Sequence, residues 1–221
     1  MAVLGIVGGT GPEGLGLAIR FAAAGERVLL GSRVRERAAA AAETVRSAVP
    51  RAEVAPGTNE EVVARANPVV VTIPWGGLEA FLAAAAPALA GKLVVDVVVP
   101  LRLRAGLFER AGGPDGESAG ETIQRAAPAA RVVSAFKTVP AARLADLGTR
   151  LGGDVLVSGD DPRARAEVAA LVAKLPGLRP VDAGPLRNAR HQEAITALLL
   201  NLNRQHHALT SITILGLERA R

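Results

Sequence analysis

Short apolar runs at residues 2–7, 27–30, 69–73, 93–97, 131–136 and 154–157 alternate along the chain with longer, Ala-rich stretches. Several of these runs lack period-two alternation, which predicts parallel strands buried on both faces. The stretches at 15–24, 35–49, 60–66, 78–89, 119–126 and 164–174 carry helical patterning. Such alternation predicts an α/β fold, with a doubly wound, mainly parallel sheet covered by helices on both sides. Two helix starts are marked locally. Ser118-Ala119-Gly120-Glu121 has capping-box spacing, and Asp161-Pro162 reads as an N-cap followed by Pro at the first helical position. Residues 112–116 read as a surface turn. Residues 188–217 read as mostly helical and apolar, without clear strands. A boundary near residue 137 would separate a unit at 1–136 from a smaller C-terminal α/β portion at 137–221.

The sharpest motif is Gly9-Thr10-Gly11-Pro12-Glu13-Gly14, a G-x-G-x-x-G match. It follows the first predicted strand directly and opens the first helix, the context a dinucleotide fingerprint requires. Gly9 would allow the tight turn, Gly11 the approach of a pyrophosphate, and Gly14 close helix–strand packing, as in Rossmann-type folds. At the end of the second strand, an NAD site usually carries an acid for the ribose 2′-hydroxyl. Here the chain has Gly31-Ser32-Arg33, with Arg35 and Arg37 following. A hydroxyl and guanidinium groups suit a 2′-phosphate, and Thr10 can add a donor. The expectation is NADP(H) rather than NAD(H). Thr72-Ile73-Pro74-Trp75 stands at the carboxyl end of a predicted strand, where doubly wound sheets bind ligands. Trp75 offers either a face to a ligand or ordinary packing.

Composition removes several alternatives. The chain has 221 residues, 49% of them hydrophobic, enough for one large domain. No apolar run approaches the ~20 residues that span a bilayer. The start reads as a first strand rather than a secretion signal. With no cysteine, disulfides, thiolate zinc sites and Cys nucleophiles are excluded. The three histidines, at 191, 206 and 207, give no metal-ligand spacing. A cytoplasmic, metal-free protein is expected. The net charge is +5 and only three of the 26 basic residues are Lys, but aromatics make up only 2%. Stacking platforms for nucleic-acid bases are therefore scarce. The arginine excess fits either an Arg- and Ala-rich genome or a small polyanionic partner such as a phosphorylated cofactor, and composition does not choose between them. No Ser-His-Asp set, HExxH motif, Walker loop or evident general acid is present. Hydride transfer between two bound cofactors needs none, only alignment and exclusion of water.

Gly8-Gly9-Thr10-Gly11, Gly31-Ser32-Arg33, Thr72-Ile73-Pro74-Trp75, Ser118-Ala119-Gly120-Glu121, Thr138-Val139-Pro140-Ala141-Ala142-Arg143, Gly159-Asp160-Asp161 and the run at 177–186 occur in order along nearly the whole chain. In this the sequence resembles the NADPH-dependent reductases of coenzyme F420, the F420H2:NADP+ oxidoreductases. The resemblance implies a Rossmann NADP domain and a smaller C-terminal domain, with the deazaflavin in the cleft between them. It implies that Thr10, Ser32, Arg33 and Arg37 form the 2′-phosphate site. It implies further that Thr138, Val139, Pro140 and Ala141 flank the deazaflavin ring, and that Arg190 and Thr196 supply polar groups to its pocket. Hydride would pass between nicotinamide C4 and deazaflavin C5. Lys137 stands where related sequences can carry His, and Ala194 where they can carry Ser. Lys137 is expected either to steady, as a cation, the reduced deazaflavin or an anionic cofactor group, or to be an exposed lysine at a strand end.

Two other classes share the first half of this pattern. Reductases of small imines or 3-hydroxy acids carry a long helical domain and need a proton donor. A non-catalytic NADPH-binding sensor would bind without turnover. The apolar late helix around 194–202 suggests a homodimer interface.

Overall fold

The structure, a computed structural model, describes residues 3–217. Residue 2 of the predicted first strand, together with residues 1 and 218–221 of the two predicted units, lies outside the described residues. In chain order the strands are β1 (Leu4–Val7), β2 (Val28–Ser32), β3 (Val54–Thr58), β4 (Val69–Val71), β5 (Leu93–Asp96), β6 (Leu101–Arg104), β7 (Leu107–Arg110), β8 (Arg131–Ser134), β9 (Gly153–Gly159) and β10 (Leu178–Asp182). Eight of them form one sheet in the order β10-β9-β8-β5-β4-β1-β2-β3. Neighbours run parallel except β8 and β9, which are antiparallel. The segment β3-β2-β1-β4-β5 has the strand order of a dinucleotide-binding sheet, which reverses direction between β1 and β4.

The unbroken apolar runs have a direct cause. Leu4 and Ile6 enter the core on one face of the sheet, while Val7 enters the other. Val70 likewise faces one side, with Val69 and Val71 on the opposite side. Successive side chains in a strand alternate sides, so a strand covered twice is apolar throughout. One cover contains α1 (Pro12–Ala23), α2 (Arg35–Ala48) and α7 (Pro162–Ala173). The other contains α3 (Asn59–Arg65), α4 (Trp75–Ala85) and α5 (Ala119–Ala126). The short α6 (Ala141–Leu144) lies on α1, and the long α8 (Ala189–His206) follows β10.

Both marked helix starts form. Ser118 and Glu121 close a reciprocal capping box at α5. The Asp161 side chain accepts from the Arg163 N–H at 2.9 Å, with Pro162 first in α7. The predicted helix at 78–89 is corrected: α4 starts three residues earlier and a 3₁₀ turn, Ala86–Leu89, replaces its end. Pro87 stands in that turn, and proline cannot donate into a continuing α-helix. The strand predicted at 69–73 ends at Val71.

Four strands, β3, β10 and both strands of a hairpin, are absent from the sequence reading. β3 and β10 are the two edges of the sheet and contain Pro56 and Pro180. Inside a strand that pairs regularly on both sides a proline removes a ladder donor, so mid-strand prolines such as these fit an edge, which also needs less apolar surface. β6 and β7 form a separate antiparallel hairpin. Its two-residue turn, Ala105-Gly106, has positive φ at both positions, 47° and 80°, as the favoured hairpin turns do. The α8 side chain of Asn201 holds the hairpin by bonding both the N–H (2.8 Å) and the C=O (2.9 Å) of Phe108.

Candidate functional site

The carboxyl ends of β1, β2, β4 and β5 surround a cleft of about 1090 Å³, slightly above the usual range for a small-ligand pocket. Its floor is the glycine loop. Gly8 has φ +75° and donates its N–H to Asn59 Oδ1 at 3.1 Å. A Cβ at Gly9 would lie 2.8 Å from Leu30, and one at Gly14 would lie 2.5 Å from the Thr72 hydroxyl. Both glycines are therefore required by close packing of the turn and helix against the strands. A Cβ at Gly11 would meet nothing nearer than 3.8 Å, so the open space there is left for something other than protein. Gly11 is also the N-cap of α1 and offers no side-chain cap. The first-turn N–H groups remain available to an anion, favoured by the helix dipole.

Cations mark the second wall. Ser32 is buried at the end of β2, and its Oγ accepts from the Val34 N–H at 3.3 Å. Arg35 pairs with Glu61. Arg33 and Arg37 both line the cleft, and among the described residues they join none of the ion pairs. Two guanidinium groups lining one cleft could hold a doubly charged phosphate. Thr10 is exposed on the same loop and lines the same space.

The charged lining residues, Glu13, Arg33, Arg37 and Glu60, come only from the glycine loop, the β2–α2 turn, α2 and α3. The other end is walled by Ile73, Pro74, Trp75, Phe81 and the segment 97–99, without a titratable side chain. Thr72 at its base donates to the Val7 carbonyl at 2.8 Å. It pins the end of β4 to β1 at the point where the strand order reverses. Glu13, in the first turn of α1, is unusual. Its Oε1 is the one buried side-chain polar atom lacking a hydrogen-bond partner among the described residues. Burial pushes its carboxyl up from 4.5 to about 8.

Behind segment 97–99 lies a buried charge cluster. Lys137 Nζ is 2.7 Å from Asp96 Oδ2 and 3.3 Å from Glu193 Oε1, and it also donates to the Val98 carbonyl. Ser134 donates to Asp96 Oδ2 at 2.6 Å, and Asp96 Oδ1 accepts from the Val98 N–H at 2.9 Å. Glu193 also accepts from Arg110 (2.7 Å) and from the Ala119 N–H (2.8 Å). Burial raises the Glu193 carboxyl above its ordinary value, Lys137 draws it back, and Asp96 raises it again. Both expectations for Lys137 are corrected. It is neither an exposed lysine nor a cation presented to the cleft, because two buried carboxylates and a carbonyl engage its ammonium.

Residues 3–100 match the family model of coenzyme F420-dependent NADP oxidoreductases. An F420-dependent NADP reductase of Methanothermobacter marburgensis is 35% identical over 207 residues, covering 90% of this chain and 92% of that protein. One from Methanocaldococcus jannaschii is 34% identical, covering 97% and 99%. The chain belongs to the F420-dependent NADP oxidoreductase family. A crystal structure described as an F420-dependent NADP reductase, from Arthrobacter sp. FB24, superposes with a TM-score of 0.80 at 30% identity and full coverage of both chains.

Membership makes NADP(H) and F420 the cofactors, and the cleft fits the first of them. The glycine loop has first-turn N–H groups that could meet a pyrophosphate, and Arg33 and Arg37 line the cleft without an ion-pair partner among the described residues, as a 2′-phosphate would require. The residues that the resemblance assigns to the deazaflavin are placed differently. Lys137, Thr138, Val139, Pro140, Ala141, Arg190 and Thr196 are not among the cleft walls. Thr138 and Val139 are buried, and Val139 packs in the core. Thr196 donates to the Lys137 carbonyl at 2.9 Å, tying α8 to this segment. Arg190 forks onto Glu121, both distances 2.7 Å. Burial raises the Glu121 carboxyl, but hydrogen bonds from Arg190 and Ser118 hold it below its usual value.

Several wall residues escaped the sequence reading. Asn59, Glu60, Phe81 and segment 97–99 all line the cleft. Asn59 follows β3, so recognising that strand would have put it at a strand's carboxyl end. Phe81 carries no comparable signal within an apolar helix.

Proposed function

We propose that this protein catalyses reversible hydride transfer between NADP(H) and coenzyme F420. One observation carries the reading: a single cleft joins a cationic phosphate-binding end to an apolar end that has no proton donor. Hydride added to the deazaflavin C5 leaves an anion delocalised over N1 and the C2 carbonyl, which takes its proton from solvent, so the transfer itself needs alignment and dryness there. Reduction of an imine or carbonyl instead needs a proton delivered at the reacting centre, and none of the walls at that end supplies one. Residues 1–136 would hold NADP(H), and residues 137–221 would complete the place for the deazaflavin. Thr10, Ser32, Arg33 and Arg37 would bind the 2′-phosphate, and Arg190 and Thr196 would serve the deazaflavin side.

A mixture of NADPH and oxidised F420 should lose the deazaflavin absorbance on adding the protein. Oxidation of NADPH by small imines without reaction with F420 would overturn the reading, as would tight NADPH binding with no turnover of either. Among the described residues no helix is long and apolar enough to cross a membrane. A cytoplasmic location and a homodimer belong to the same proposal. The dimer is supported by exposed Leu198 on α8 and by exposed Leu103 and Leu107 on the hairpin that packs against α8. Light scattering showing only monomer at working concentration would remove it.

A further inference from the structure

We propose that Glu13 occupies the cofactor cleft as the neutral acid when the dinucleotide is bound, so that docking of the pyrophosphate is coupled to uptake of one proton. The inference rests on the NADP reading and concerns a residue that the reaction itself does not use. Glu13 stands in the first turn of α1, directly after the uncapped Gly11 and the N–H-less Pro12. An ionised carboxylate there would ordinarily accept from first-turn N–H groups. Glu13 does not: its Oε1 is shut from solvent and accepts from nothing. A buried oxygen with no donor is costly as an anion and far less so as a neutral acid.

The charged groups around it do not change this. Arg33, Arg37 and Glu60 share the cleft. On α1, Arg20 is spent on the carbonyls of Arg143, Leu144 and Thr149. On α2, Arg35 pairs with Glu61 and Arg46 with Glu43, leaving Glu36 and Arg37. α6 contributes Arg143. None of these bonds to Glu13, and burial alone accounts for its raised carboxyl. A pyrophosphate arriving at the same helix start adds negative charge and favours the neutral form further. The neutral acid brings an O–H that can donate to a phosphate oxygen. Once the free protein has ionised at higher pH, the proton must come from solvent, and affinity falls with pH.

Calorimetric titration of the full chain with NADP+, in two buffers of different ionisation enthalpy between pH 7 and 9.5, reads this directly. Above pH 8 the 2′-phosphate, whose second pKa is about 6, contributes no proton. The expected result is uptake approaching one proton per NADP+ near pH 9, with Kd rising toward tenfold per pH unit. Glu13→Gln should bind with no uptake and a Kd nearly flat with pH. Adenosine 2′-monophosphate, which lacks the pyrophosphate, should bind both proteins without uptake. Binding of NADP+ by the wild type without uptake, or equal uptake by Glu13→Gln, overturns the proposal. Uptake with adenosine 2′-monophosphate overturns its assignment to the pyrophosphate. Absence of NADP+ binding by both proteins at every pH would instead overturn the nucleotide reading from which it starts.

Discussion

Lys137 Nζ lies 2.7 Å from Asp96 Oδ2, with both side chains fully withdrawn from solvent. Through Asp96 and the Val98 carbonyl, this pair fixes the chain as it leaves β5 and enters the cleft wall. Glu193 and Arg110 bring α8 and the β6–β7 hairpin onto the same cluster. A buried pair adds little net stability over an apolar replacement of both partners, but it is costly to break from one side. Lys137→Met should therefore cost about 3–5 kcal/mol, the usual penalty for leaving a buried charge uncompensated. Adding Asp96→Asn should recover a large part of it. Urea unfolding of the single and double variants checks this, and equal stabilities would refute it.

Glu13 predicts a pH dependence of stability with a definite sign. Its folded pKa is raised, from 4.5 to about 8, so the folded state holds a proton that the unfolded state releases. The stability it contributes is full below pH 4.5 and declines as the pH rises through about 8. Glu13→Gln removes that slope. At pH 8 the variant should exceed the wild type by roughly 2–4 kcal/mol, given 1.36 kcal/mol per pKa unit and some relaxation of the site. Near pH 4.5 the two should match. Unfolding curves at both pH values decide it, and a constant difference would count against the assignment.

Arg33 and Arg37 both line the cleft, so Arg33→Ala should weaken NADPH strongly without abolishing binding. The loss of one charged hydrogen bond amounts to roughly 1.5–3 kcal/mol. NADH, which lacks the extra phosphate, should be affected little. The ratio of kcat/KM for the two nucleotides is the measurement, and an unchanged ratio would place the 2′-phosphate elsewhere.

Arg190 is half-exposed and forked onto Glu121, whose carboxyl also closes the capping box of α5. Arg190→Ala should weaken F420 more than NADPH, with only a modest stability loss because the pair is partly hydrated. Titrations with each cofactor separate the two effects. Equal weakening would exclude Arg190 from the deazaflavin side.

What the sequence determined by itself was local or repetitive. The apolar runs that became β1, β4 and β5 were legible because burial on two faces demands continuous hydrophobicity. The glycine loop was legible because a tight turn packed against strands restricts residue choice at fixed spacing. The caps at Ser118 and Asp161 were legible for the same reason. Tertiary structure alone decided the rest. The edge strands β3 and β10 carry proline and are defined by the neighbour they pair with. The hairpin takes its place from Asn201, 93 residues away from Phe108. Lys137 reads as a free cation until Asp96 and Glu193, 41 residues before it and 56 after, close around it. Glu13 reads only as a variable position of the glycine motif, and the burial of its Oε1 without a donor appears only in the fold. The charge a side chain carries, and the partner that meets it, depend on which distant groups share its dry volume, and spacing along the chain does not encode that.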